Sequence, residues 1–78
     1  MNIIIYGTPT CVWCRAAKAL CNSKAIEYDY RDLTTMKPTD ANNVVHWSGM
    51  KTVPIIYDGP NIIGGYDALE GYFKGKKL

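Results

Sequence analysis

The chain has 78 residues, 47% of them hydrophobic and 21% charged, and a formal net charge of +2. That composition excludes a disordered chain, and the length points to a single domain over residues 1–78 with a modest core. The charge is too small to argue for nucleic acid as a partner, and three cysteines cannot build a disulfide framework.

Met1-Asn2 precede Ile3-Ile4-Ile5-Tyr6, a continuous apolar run that stops at Gly7. It lacks a basic leader and falls short of a secretory core or a membrane span, so the expectation is a soluble, cytoplasmic chain with no membrane partner. The run itself suits a strand covered on both faces. Thr10 is the expected cap of a helix from Val12 to about Ser23, whose Ala16, Ala17, Leu20 and Cys21 recur at helical spacing. Asn22 to Ala25 read as a turn, and Ile26-Glu27-Tyr28-Asp29-Tyr30 alternate as a second strand ended by Arg31 and Asp32. A polar loop leads through Pro38 to a short helix from about Thr39 to Trp47, with Ala41, Val44 and Val45 expected inward and Ser48-Gly49 ending it. Val53-Pro54-Ile55-Ile56-Tyr57 form a third strand. Asp58-Gly59-Pro60-Asn61 turn it into a brief fourth strand at Ile62-Ile63. After Gly64-Gly65, Asp67 reads as the cap of a last helix, with Glu70 three residues on in the manner of a capping box and Leu69, Tyr72 and Phe73 as its apolar side. Lys76 and Lys77 in the basic tail read as solvated. The expected order is β-α-β-α-β-β-α, an α/β fold with a mixed sheet of four strands and three helices.

Cys11-Val12-Trp13-Cys14 sits where the first strand passes into the first helix. Residues three apart at a helix start are neighbours, so the sulfurs can close a disulfide with little backbone movement. The open N–H groups and positive dipole end of the helix favour a Cys11 thiolate, and Arg15 and Lys18 add charge nearby. Cysteines so placed have pKa values lowered from ~8.5 to roughly 3.5–7.5, which makes most of the sulfur reactive at neutral pH. Cys11 is therefore the expected nucleophile and Cys14 the resolving thiol. A zinc site using Cys11, Cys14, Cys21 and His46 is the competing reading. It is disfavoured because Cys14 and Cys21 lie two turns apart, about 10.5 Å along one helix. Cys21 reads instead as a small buried hydrophobe, and His46 as a solvent-facing or capping residue.

Four features in order give the chain a resemblance to the glutaredoxin family. They are Ile5-Tyr6 before the motif, Cys11-x-x-Cys14 followed by Ala17-Lys18-Ala19-Leu20, Thr52-Val53-Pro54, and Gly64-Gly65-Tyr66-Asp67. The resemblance implies a thioredoxin-like fold with Pro54 cis beside the cysteine pair. It also implies a monomeric dithiol enzyme that reduces protein disulfides or glutathione mixed disulfides, with glutathione as co-substrate and no tightly bound cofactor or metal. By the same resemblance the Val53 backbone pairs with extended substrate, Gly65 lets ligand approach, Asp67 and the last helix receive the γ-glutamyl end, and Tyr6, Trp13 and Tyr66 wall the groove. Many glutaredoxins carry lysine three residues before the nucleophile. This chain has Thr8 there, and Lys51, next to Thr52, is the substitute carboxylate partner. Ribonucleotide reductase is a client by family analogy. The Val12-Trp13 centre also resembles short phage-type glutaredoxins and NrdH-redoxins, which draw electrons from thioredoxin reductase. A third reading, of another class, is a module holding an iron–sulfur cluster between two copies through Cys11 and glutathione.

Overall fold

A computed structural model describes residues 1–76. Strand β1 (Ile3–Gly7) is followed by helix α1 (Val12–Ser23), β2 (Tyr28–Asp32), α2 (Pro38–Ser48), β3 (Ile55–Asp58), β4 (Asn61–Gly64) and α3 (Tyr66–Gly75). The sheet order is β2-β1-β3-β4. β1 pairs parallel with β2 and antiparallel with β3, and β3 pairs antiparallel with β4, which makes the mixed thioredoxin-like sheet that the resemblance implies.

β1 is central, and its pleat separates two environments. Ile3, Ile5 and Gly7 are buried, while Ile4 and Tyr6 on the other face are half-buried. Ile3 and Ile5 meet Ile56, with Ala17 and Cys21 of α1 and Leu69 and Phe73 of α3 closing the core above them. The apolar stripes of α1 and α3 thus cover the same sheet face, and the alanine at position 17 lets α1 approach closely.

β2 begins two residues later than the alternating pattern suggests, because Ile26 belongs to the end of α1. Its N–H bonds the Cys21 carbonyl at 2.9 Å, Ala25 N–H bonds Asn22 O at 3.1 Å, and Ala25 takes φ 55°. This is a Schellman ending with alanine in the left-handed position that usually holds glycine. β2 then runs on through Arg31 and Asp32 because β1 pairs with it as far as Gly7.

Helix α2 buries none of its residues. Ala41 and Val44 are half-buried, but Val45, expected inward, is 40% exposed and Trp47 is 77% exposed. Pro38 starts the helix one residue earlier than expected, since its missing N–H is one the first turn leaves unpaired anyway. Gly49, at φ 70°, ends it.

β3 starts at Ile55, not Val53: Pro54 has no N–H for a ladder, and the Val53–Pro54 peptide is cis. Gly59 at φ 57° opens the tight loop into β4, as primed hairpin turns require. The cap of α3 is Gly65, whose carbonyl takes the Leu69 N–H at 3.0 Å. Asp67 is therefore not the cap but a first-turn residue, and Glu70 reaches forward to Lys74 at 3.9 Å. Near the end of α3, Lys76 is exposed as expected, and its ammonium lies 4.9 Å from the Tyr72 ring centroid. Lys77 lies outside the described residues.

Candidate active site

The loop from β1 brings Cys11 to the N-cap of α1, a place expected for Thr10. Cys11 is extended (φ −87°, ψ 113°), its N–H bonds Thr8 O at 3.3 Å, and its carbonyl takes the Arg15 N–H at 3.3 Å. Its sulfur does what a capping oxygen does elsewhere: Cys11 Sγ accepts the Cys14 N–H at 3.1 Å. The reactive atom thus occupies the positive end of the helix dipole, and the first turn of α1 carries no acidic residue to offset it.

Cys14 lies one turn inside, 1% exposed, and the two sulfurs form a disulfide with a Cα–Cα separation of 5.2 Å. Cys11 itself is half-buried at the surface end of the pair. Access therefore favours attack at Cys11, while Cys14 is shielded against everything except its neighbour.

Trp13, between the two cysteines in the chain, lines a groove of about 390 Å³ together with Thr52, Val53, Pro54, Gly65, Tyr66, Asp67 and Ala68. Three separated segments meet there: the start of α1, the turn before β3 and the start of α3. Trp13 and Tyr66 face each other with ring centroids 5.3 Å apart. Asp67 is exposed in the first turn of α3. A methyl added at Gly65 would make only ordinary contacts with Met50 at 3.7 Å and the Pro54 carbonyl at 3.8 Å.

Tyr6, expected to wall the same groove, lies on the other face of the sheet. There its ring packs edge-on against Tyr57 at 6.0 Å and its hydroxyl accepts from Arg31 at 3.2 Å. Alternation along β1 decides this: Gly7 and Ile5 point toward α1, so Tyr6 cannot. Lys51 is exposed and falls outside the lining. Arg15 is exposed on the first turn of α1. Lys18, expected to support the thiolate directly, places its ammonium 4.2 Å from the Tyr30 ring centroid.

Tyr30 is the site residue that sequence reading missed. Its register opposite Ile5 turns it toward α1, where its hydroxyl donates to Thr8 O at 3.2 Å. Burial, and then Asp32, push its phenol above the ordinary tyrosine range. The alternation of Tyr28 and Tyr30 was visible in the sequence, but only the β1–β2 register reveals that the second tyrosine shares the space over Gly7 with Cys14.

Cys21 is buried in the core, and burial pushes its thiol up. His46 is exposed, its ring edge-on to Trp47 at 4.9 Å. Among the described residues no three histidine, cysteine or acidic side chains are grouped to hold a metal ion.

The glutaredoxin family model matches residues 3–63. Glutaredoxin 3 of Escherichia coli K12 is 37% identical over 73 residues, covering 87% of this chain and 81% of its own. Glutaredoxin-C2 of Arabidopsis thaliana is 27% identical over 79 residues, covering 99% and 71% respectively. Among solved structures, a glutaredoxin from Brucella melitensis superposes with a TM-score of 0.77 at 33% identity, over all of this chain and 84% of that one. A buckwheat glutaredoxin–glutathione complex does so with a TM-score of 0.81 at 27% identity, over 95% and 70%.

Proposed function

This chain belongs to the glutaredoxin family of thiol–disulfide oxidoreductases, and from that premise we propose that it is a glutathione-dependent dithiol enzyme with Cys11 as nucleophile and Cys14 as resolving thiol. The observation that carries the assignment is the Cys11 sulfur capping α1 and accepting the Cys14 N–H at 3.1 Å. A charged acceptor strengthens such a bond, so the helix start stabilises the thiolate more than the thiol.

The Cys11 thiolate attacks one sulfur of a client disulfide, the other client sulfur leaves as a thiolate, and a mixed disulfide remains on Cys11. The Cys14 thiolate then attacks the Cys11 sulfur, closes the Cys11–Cys14 disulfide and releases the second client thiolate, which takes a proton from water. Two glutathione thiols reverse the sequence. The first opens the pair to a Cys11–glutathione disulfide; the second attacks that glutathione sulfur and leaves as oxidised glutathione. Client and enzyme sulfurs exchange two electrons at each stage.

The groove beside the pair supports glutathione as the co-substrate. The N–H groups at the start of α3 suit a carboxylate, the exposed Asp67 suits an ammonium, and Trp13 and Tyr66 suit the peptide's flat amides. Protein disulfides, including that of ribonucleotide reductase, are the proposed clients, the chain acting as a monomer in the cytoplasm. The absence of lysine at Thr8 favours testing a second donor, thioredoxin reductase. Turnover is measured with glutathione, glutathione reductase and NADPH, and separately with thioredoxin reductase and NADPH. Robust turnover in the first system is expected. Turnover only in the second replaces glutathione as the donor.

A further inference from the structure

A phenol from another element stands beside the resolving sulfur. Gly7 has no side chain, and the point its Cβ would take lies 2.5 Å from the Tyr30 hydroxyl, 2.7 Å from Cys14 Sγ and 3.1 Å from Cys14 Cβ. Hydroxyl and sulfur therefore face each other across the empty side of Gly7, no more than 5.2 Å apart, the sum of 2.5 and 2.7 Å. The hydroxyl donates to the Thr8 carbonyl at 3.2 Å, and the Lys18 ammonium sits 4.2 Å from the centroid of the same ring. Groups that bear charge around this cluster are Lys18 and Cys11 from the α1 side and Asp32 on β2; β1 supplies Gly7 and no titratable side chain here, and Asp67 of α3 opens into the groove.

We propose that Tyr30 is a positioning residue for the second step of exchange: when the disulfide opens, its hydroxyl turns from the Thr8 carbonyl to the Cys14 sulfur and donates a hydrogen bond to the thiolate. The assignment rests on the exchange reading above. A phenolic hydroxyl has one proton and swings it by rotating about its C–O bond. Sulfur in a disulfide carries no charge, so the carbonyl is the better acceptor in the oxidised form. A thiolate is the better acceptor in the reduced form. Cys14 is 1% exposed, and burial in apolar surroundings disfavours a thiolate, so a protonated donor at its side offsets that penalty. Burial and Asp32 keep the phenol protonated at neutral pH, as a donor must be.

The step balances. Cys14 loses its proton to water, and the thiolate attacks the Cys11 sulfur of the mixed disulfide. The new sulfur–sulfur bond oxidises the cysteine pair, and the bond to the client breaks, reducing the client sulfur. Tyr30 keeps its own proton throughout, and its hydroxyl donates to Thr8 O again once the pair has closed.

Losing a hydrogen bond to a charged acceptor lowers the thiolate population by roughly ten- to a hundredfold. The more basic thiolate recovers part of this through higher nucleophilicity, so the second step slows by about three- to tenfold net. The test is rapid acid quench of the full reduced chain with a disulfide-linked peptide dimer, with mass spectrometry separating the Cys11–peptide mixed disulfide from the closed pair. In Tyr30→Phe, the ratio of second-step to first-step rate falls about three- to tenfold, and the pH profile of the second step moves up by about one unit or more. An unchanged ratio, or equal slowing of both steps with an unshifted profile, overturns the assignment. Tyr30→3-fluorotyrosine keeps the shape and makes the phenol a stronger donor, so it moves the second-step profile down. A profile that stays put in that variant overturns the assignment even if Tyr30→Phe fails to fold. A wild-type chain that forms no mixed disulfide on Cys11 removes the exchange reading itself, and the role of Tyr30 with it.

Discussion

Replacing Gly7 by alanine asks one methyl group to enter a space held from two sides. The added carbon would lie 2.5 Å from the Tyr30 hydroxyl and 2.7 Å from Cys14 Sγ, closer than carbon tolerates, and 3.1 Å from Cys14 Cβ, tighter than most such contacts. Neither neighbour gives way easily. Tyr30 is fixed by Thr8 and Lys18, and Cys14 is tied to Cys11. Overpacking of this kind costs about 1–3 kcal/mol, while removing glycine's freedom from the unfolded chain offsets about 0.4–1 kcal/mol. The mid-range values leave a net loss of about 1.3 kcal/mol, which corresponds to a melting temperature about 5–10 °C lower for a domain of this size. Thermal unfolding followed by circular dichroism, on oxidised and reduced protein, measures it. The drop is expected to be larger in the oxidised form, because reduction frees the Cys14 sulfur to rotate away. A drop below about 2 °C, or the same drop in both forms, refutes the crowding argument.

Cys11→Ser abolishes thiol transfer to every substrate, whereas Cys14→Ser loses dithiol reduction of proteins and retains reduction of glutathione mixed disulfides, since glutathione then resolves the intermediate. Identical behaviour of the two variants in both assays contradicts the assigned roles. Tyr72→Phe probes the clamp between α3 and the β3–β4 hairpin, in which the Tyr72 hydroxyl donates to Asp58 and the Asn2 N–H donates to the same carboxylate at 2.8 Å. Tyr72, and then the Asn2 N–H, hold the Asp58 carboxyl below its usual range, so its contribution is present above the unfolded carboxylate value and lost as pH falls through the lower folded one. Asp58 holds the Tyr72 phenol above its usual range, so that contribution is lost as pH rises through the raised value. Urea midpoints of wild type and variant should therefore differ most between roughly pH 5 and 9 and converge toward both extremes; a gap constant with pH is incompatible with this clamp. Ala25→Gly, at φ 55°, should stabilise the chain by about 0.5–1 kcal/mol in equilibrium urea unfolding, and a destabilised variant would show that the left-handed alanine is not strained.

Short-range chemistry was legible from the chain itself. The run Ile3-Ile4-Ile5, the helical recurrence of Ala17 and Cys21, the turn at Gly59-Pro60 and the glycine ending at Gly49 each encode a local period or a local backbone angle. They gave the element order and placed Cys11-x-x-Cys14 at a strand-to-helix junction, where the chemistry of the helix start follows from position alone. Boundaries slipped for two reasons: Ile26 joins the end of α1 through a local bond to the Cys21 carbonyl, and β2 extends to Asp32 through its pairing with distant β1. Which residue of the Thr10-Cys11 pair caps α1 depended on the path of the whole loop, since either side chain could have met the free N–H groups. The neighbours of the sulfurs were decided by register. Opposite Ile5, Tyr30 turns toward α1 and reaches the pair, while Tyr6 and its ring go to the far face. Strand alternation is visible in one segment, but the face it presents to a site is set only when a second strand fixes the phase.

Everything that makes the groove a single place is tertiary. Trp13, Val53 and Tyr66 are separated by up to about two thirds of the chain and meet because the antiparallel pairing brings the end of β1 beside the start of β3, under the starts of α1 and α3. Sequence alone determined that a sulfur would stand at the open end of a helix. The packing of three elements decided what stands beside it, because side-chain direction is a property of paired backbones and not of a residue taken singly.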